Sequence, residues 1–132
     1  MEKMMATQPR REQIAALLEN DKGEPIRMLN LLKFREFAQY SDGTDTGLSG
    51  AEAYQRYAAE VVPIIRKAGG EIVFSGQANT LVIGDGELEW DMVSIAEYPS
   101  VTAFLGMTSS DEYQKIHIHR DAGLEHQLLV EC

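Results

Sequence analysis

The sequence predicts an α+β fold, with four strands and two helical crossovers in the order β-α-β-β-α-β after one additional helix. Two observations carry this. Strand-like apolar segments and segments with helical spacing follow one another in that order. The strands also leave two faces that are not polar, whereas the crossovers can cover only one of them. The chain has 132 residues, 44% hydrophobic and 25% charged. That suits a single domain over 1–132 with a sizeable core, divided into a helical extension (1–23) and a main domain (24–132).

Arg11 to Asn20 is amphipathic, with Ile14, Leu17 and Leu18 on one face. Thr7 reads as its cap, Pro9 suits its first turn and Gly23 ends it. Pro25 to Phe34 reads as a central strand, apolar in its middle on both faces. Leu29 and Leu31 are expected to face the helices and Asn30 the opposite side. Glu36 to Leu48 is a long polar loop, suited to covering a ligand. Ser49-Gly-Ala-Glu52 is a capping box that opens a helix to about Ala68. Tyr54, Tyr57, Ala58, Val61 and Ile65 keep helical spacing, Pro63 predicts a bend, and Gly69-Gly70 is a stop.

Glu71 to Ile83 reads as a long strand interrupted at Gly76, and Asp85-Gly86 as a turn. Trp90 to Tyr98 is the third strand, with Val93 and Ile95 expected under the helices. Pro99 and Ser100 start a helix over Val101 to Met107. Ser109-Ser-Asp-Glu112 reads as a second capping box, opening a helix through Tyr113, Ile116 and Arg120. Leu128 to Val130 lies in a short final strand. This is the split βαβ, ferredoxin-like plan. The uncovered sheet face predicts a homodimer with opposed sheets, a dimeric α+β barrel.

The balance is acidic, 21 Asp+Glu against 12 Lys+Arg. That argues against a nucleic-acid surface and against anionic membrane. No window approaches the ~18–20 apolar residues of a membrane span, and the first nine residues lack the apolar run of a signal sequence. The single cysteine, Cys132, closes no intrachain disulfide. A cytoplasmic location is the expectation.

Met28-Leu-Asn-Leu-Leu-Lys-Phe34, Tyr57, Val62-Pro63, Gly69-Gly70, Trp90-Asp91, Tyr98-Pro99-Ser100, Ala103-Phe104, Glu112-Tyr113-Gln114 and His119-Arg120-Asp-Ala-Gly-Leu124 occur in order. Over Pro25 to Leu129 the chain resembles the domain-of-unknown-function (DUF) 1330 family. The resemblance implies the dimeric α+β barrel superfamily. That superfamily includes haem-degrading and quinone-forming monooxygenases, chlorite dismutase-like proteins and lactone isomerases. It transfers a fold, not a reaction. The axial histidine of the haem-degrading relatives would fall on His117 and their first-strand asparagine on Asn30. Their haem-ruffling tryptophan falls near Met107, so haem is a minor alternative and no cofactor is expected.

Six residues are candidates for a site. His117 and His119 are the candidate catalytic residues, since histidine titrates near neutrality. Two apart on a helix, they point about 200° from each other and do not share a metal, so no metal site is expected. Arg120 is suited to grip a carboxylate bidentately, unless a salt bridge to Asp91, Glu97 or Glu112 occupies it. Asn30, an amide among apolar residues, needs a partner. Tyr98 and Tyr113 are candidate hydrogen-bond donors to a ligand. A pocket bordered by these six, between the sheet and the Tyr98 to Arg120 segment, is the expectation. There is no phosphate loop, serine elbow or Cys/His pair. The leading reading is a cofactor-free isomerase, lyase or monooxygenase acting on a small aromatic or carboxylated metabolite. A non-catalytic dimer binding a metabolite or a protein is the alternative, and a haem-binding monooxygenase-like protein the second.

Overall fold

The structure, a computed structural model, describes residues 6–132. The reading of the first five residues as lacking a signal run lies outside the described residues. Eight elements follow in order: α1 (Arg11–Glu19), β1 (Ile26–Phe34), α2 (Gly50–Lys67), β2 (Glu71–Gln77), β3 (Met92–Tyr98), α3 (Val101–Thr108), α4 (Asp111–Gly123) and β4 (Leu124–Glu131). The strands form one antiparallel sheet in the order β2-β3-β1-β4. This is the ferredoxin-like arrangement, its second crossover made of two helices.

Local chemistry explains most boundaries. Ser49 accepts from the backbone N–H of Glu52 at 3.0 Å, while the Glu52 carboxylate accepts from the N–H of Ser49 at 3.0 Å. This reciprocal box starts α2. Gly69, at φ 87°, ends it in a backbone conformation that side chains disfavour. Ser100 caps α3 by accepting from the Ala103 N–H. Three expectations shift. Ser110, not Ser109, caps α4, accepting from the Tyr113 N–H, because Ser109 is already the last residue of α3's C-cap turn. Arg10 rather than Thr7 is the N-cap of α1; its N–H donates to the Gln13 side chain at 2.8 Å. The second strand stops at Gln77, and its register shift falls between Ile72 and Phe74, not at Gly76. Val82 and Ile83 lie beyond it in an irregular arm, 85% and 90% exposed.

The facing of the sheet also differs from expectation. Ile26, Met28, Leu32, Ala96 and Tyr98 are buried in one cluster with Tyr54, Tyr57, Val61 and Ile65 of α2. The even-numbered residues of β1 and β3 therefore face the helices. Asn30 and its cross-strand partner Ser94 are among them. Leu29, Leu31, Val93 and Ile95 lie on the other face, only partly buried. Both faces of β1 are apolar, so alternation alone does not decide which one is covered.

Gly50, Arg35 and Gly123 fix where α2 and α4 meet the end of β1. A Cβ on Gly50 would come within 2.1 Å of the Arg35 carbonyl, and one on Gly123 within 2.5 Å of the Gly50 carbonyl. The Arg35 N–H donates to Gly123 at 2.8 Å and Gly50 donates back to Arg35 at 3.1 Å. Backbone on backbone at this point seats α4 against α2 and delivers the chain directly into β4. The segment before α1 is tied to the same region: Gln127 of β4 donates its N–H to the Ala6 carbonyl at 2.8 Å.

Candidate functional site

A chain of polar side chains runs from the middle of the sheet to the surface of α4. Asn30 donates to the carbonyls of Met28 and Ser94, each at 3.2 Å. Its own carbonyl accepts from Gln127 Nε2 at 2.8 Å. Gln127, buried in β4, accepts from Arg120 Nη2. Arg120 Nη1 reaches His117 Nε2 at 3.4 Å and Asp121 at 3.6 Å. The Arg120 side chain is only 11% exposed. A guanidinium held this deep needs polar partners, and the chain supplies them.

His117 is the outer end. Its Nδ1 lies 3.0 Å from Asp121 Oδ2, one helical turn on. A carboxylate accepts only, so Nδ1 carries the proton and Nε2 is the free-base nitrogen. Gln8, from the segment before α1, sits over both: its amide nitrogen is 3.2 Å from His117 Nε2 and donates to Asp121 Oδ1 at 2.9 Å. The arrangement presents a carboxylate-oriented imidazole beside a buried guanidinium, so it can accept a proton next to an anchored anion.

His119 and Tyr98 go elsewhere, while Tyr113 bridges the centre to the tyrosine core. His119 projects from the opposite side of α4, as helical spacing requires. Its Nδ1 is 2.7 Å from the Tyr40 hydroxyl in the 36–48 loop, and Arg56 donates to the same hydroxyl and to Asp45. Tyr113 meets Tyr57, hydroxyl to hydroxyl at 3.1 Å, and its ring lies tilted against the His117 ring, centroids 5.6 Å apart. Tyr98 packs edge-on against Phe104 at the far end of the sheet from Lys33. Burial pushes the Tyr54 hydroxyl up to about 12, partly offset by the Arg120 charge, and pushes those of Tyr57 and Tyr98 up too. These phenols stay protonated near neutrality.

Asp91, Glu97 and Glu112 do not hold Arg120: they pair with Lys33, Arg27 and Lys67. Asp121, Gln127 and Gln8 were not among the candidate site residues. Asp121 was findable, four residues after His117 on the same helix face. Gln127 carried only its position in a strand, and Gln8 carried no signal at all. Among the described residues the six candidates do not converge on one point: Tyr98 and His119 lie apart from Asn30, Arg120 and His117. Two concavities open elsewhere, and none of the six lines either. One, of about 1070 Å³, lies at the end of β1. The other, of about 260 Å³, lies between α2, α3 and the start of α4. Among the described residues no group of three His, Cys, Asp or Glu side chains is placed to hold a metal ion, and no helix is long and apolar enough to cross a membrane.

Residues 45–131, more than half of the chain, match the domain of unknown function DUF1330. The chain belongs to the DUF1330 family. It is similar to a protein of unknown function from Rhodopseudomonas palustris, at 39% identity and TM-score 0.85, over 95% of this chain and 93% of that one. The methylated form of that protein gives a TM-score of 0.88 at the same identity, over 98% and 95%. More distant structures share the fold alone. One is a dimeric ferredoxin-like protein of unknown function from Bacteroides fragilis (12% identity, TM-score 0.52, over 85% and 97%). Another is a hydroxynitrile lyase from Passiflora edulis (13%, TM-score 0.53, over 83% and 93%). No curated protein matches the chain. Family membership thus comes with a fold and without a reaction.

Proposed function

We propose that this DUF1330 protein is a homodimer that binds a small carboxylated molecule at Arg120 and carries out acid–base chemistry of the isomerase or lyase type through His117. The observation that carries this reading is the polar chain from Asn30 through Gln127 and Arg120 to an Asp121-oriented imidazole. Arg120 grips the carboxylate. His117 Nε2, released by Gln8, takes a proton from the bound molecule and returns it. Asp121 stabilises the imidazolium in between.

Dimerisation is supported by the uncovered sheet face. Leu29, Leu31, Val93 and Ile95 lie there between Phe74, 54% exposed, and Leu128 and Val130 of the edge strand, 41% and 46% exposed. Light scattering tests the assembly: a mass of two subunits is expected, and one subunit at micromolar concentration contradicts it. Thermal shift with benzoate and with aliphatic carboxylates tests the site. Stabilisation of the wild type that disappears in Arg120→Met supports it; equal stabilisation of both contradicts it. One observation favours the non-catalytic alternative: the Gln8 amide occupies His117 Nε2. Ligand stabilisation without turnover of any stabilising compound would establish that alternative.

A further inference from the structure

We infer that the groove at the end of β1 is a second binding site, separate from the Arg120 centre, for a polyhydroxylated monocarboxylate of the sugar-acid class, with Arg35 as its anchor. The groove is formed where β1, the start of α2 and the end of β2 converge, and its volume of about 1070 Å³ suffices for such a molecule.

Its lining combines a few charges with a row of neutral polar groups. Gln39, Ser49, Gln55, Gln77 and Asn79 present neutral amides and a hydroxyl along the wall. Amides both donate and accept, as sugar hydroxyls do, so they match hydroxyls without demanding a charge. Phe37, 56% exposed, offers an aromatic ring beside them. Such a ring packs against the C–H face of a polyol.

Arg35 supplies the charge. Its Nε is buried without an acceptor. Its Nη1 donates to a neutral partner, Gln39 Oε1, at 3.1 Å. Among the described residues no carboxylate is paired with it. Its guanidinium is thus short of acceptors, and a ligand carboxylate in the groove meets it at its Nη atoms, since the buried Nε is out of reach. Lys33, the other cation of the groove, is already matched by Asp91 at 3.7 Å, and Asp91 also accepts from the Phe34 N–H at 2.8 Å. Glu36 and Glu125 also line the groove. They accept hydrogen bonds from hydroxyls and repel further negative charge, which selects one carboxylate over two.

Titration calorimetry of the full chain with gluconate, glucose and glucarate tests this. Gluconate is expected to bind about tenfold or more tightly than either of the other two, a gap of ~1.4 kcal/mol or more. Arg35→Gln is expected to weaken gluconate to the level of glucose. Gln55→Ala, on the surface of α2, is expected to weaken both gluconate and glucose, and it decides the matter if Arg35→Gln fails to fold by circular dichroism. Arg120→Met is expected to leave the Arg35-dependent component of gluconate binding unchanged, which separates this site from the one proposed above. No heat with gluconate at roughly 10 mM, a range that reads millimolar affinities, overturns the inference. So does wild-type affinity in both groove variants, or a loss of gluconate binding in Arg120→Met alone.

Discussion

The helix-facing side of the sheet is built in two different ways. Under α2, the Tyr54, Tyr57 and Tyr113 rings pack in sequence, first tilted and then edge-on, with centroids 5.2 and 6.1 Å apart, and the Tyr57 and Tyr113 hydroxyls meet at 3.1 Å. Under α4, the same layer holds Asn30, Gln127 and Arg120, joined end to end. In the tyrosine half two hydroxyls pair with each other and aromatic surface is buried. The polar half passes its hydrogen bonds outward and ends at a basic nitrogen near the surface. A core that only has to be stable resembles the first; the second spends burial on charge, which is typical of a site. Arg120 lies at the boundary, close enough for its charge to act on Tyr54 and Tyr57.

The largest expected effect breaks the facing on which this contrast rests. Ser94→Asp places a charge beneath the helices beside Asn30 and should cost several kcal/mol, enough to unfold much of the population. Val93→Asp, on the outer face, should keep the circular dichroism of the folded chain and shift the light-scattering mass toward one subunit. Exchanged behaviour of the two would mean that the sheet is turned over, and identical behaviour that facing does not govern either effect.

Alkaline titration sharpens the tyrosine half. The Tyr54 hydroxyl ionises near 10.0 when unfolded and about 12 when folded. Above pH 10 the unfolded chain therefore binds fewer protons than the native one, and stability falls as pH rises. The loss approaches ~2–3 kcal/mol by pH 12, at about 1.4 kcal/mol per unit. Urea melts at pH 9 and pH 11.5 should show a lower midpoint at the higher pH. In Tyr54→Phe that drop should shrink.

Removing single polar groups compares the halves directly. Arg120→Met leaves the Gln127 carbonyl without its donor and should cost about 1–3 kcal/mol. Tyr57→Phe removes one neutral hydrogen bond and should cost about 0.5–1.5 kcal/mol. The smallest effect lies outside both halves. Val82→Ser, in the exposed arm, should change the stability of the subunit by no more than about 0.5 kcal/mol.

Much of this fold was readable because local chemistry was unambiguous. The Ser49/Glu52 box, Gly69-Gly70 and Ser100 each dictate a boundary through a specific hydrogen bond or backbone angle. The failures have physical causes. Leu29 and Leu31 are as apolar as Met28 and Leu32, so the period of two was clear and its phase was not. Leu81-Val82-Ile83 has the composition of a strand, yet with Gly84 and Gly86 at positive φ just beyond it forms no ladder. Ser109 and Ser110 are adjacent and equally able to cap, and only the end of α3 chooses between them. At the site, Asn30, His117 and Arg120 were legible by residue type and came together. His119 parted from His117 as helical geometry demands. Gln8 could not be foreseen, since it meets His117 across 109 residues of sequence.

The central claim, that the polar half is a ligand site, is tested most directly by long-range 15N–1H NMR of the three histidine side chains during a benzoate titration. The free protein should show His117 protonated on Nδ1 and bare on Nε2. Benzoate should then move the His117 signals while those of His119 and His126 stay in place, and Arg120→Met should abolish the movement. A His117 signal unmoved at roughly 10 mM benzoate, enough to detect millimolar binding, or one that moves equally in Arg120→Met, would contradict the account.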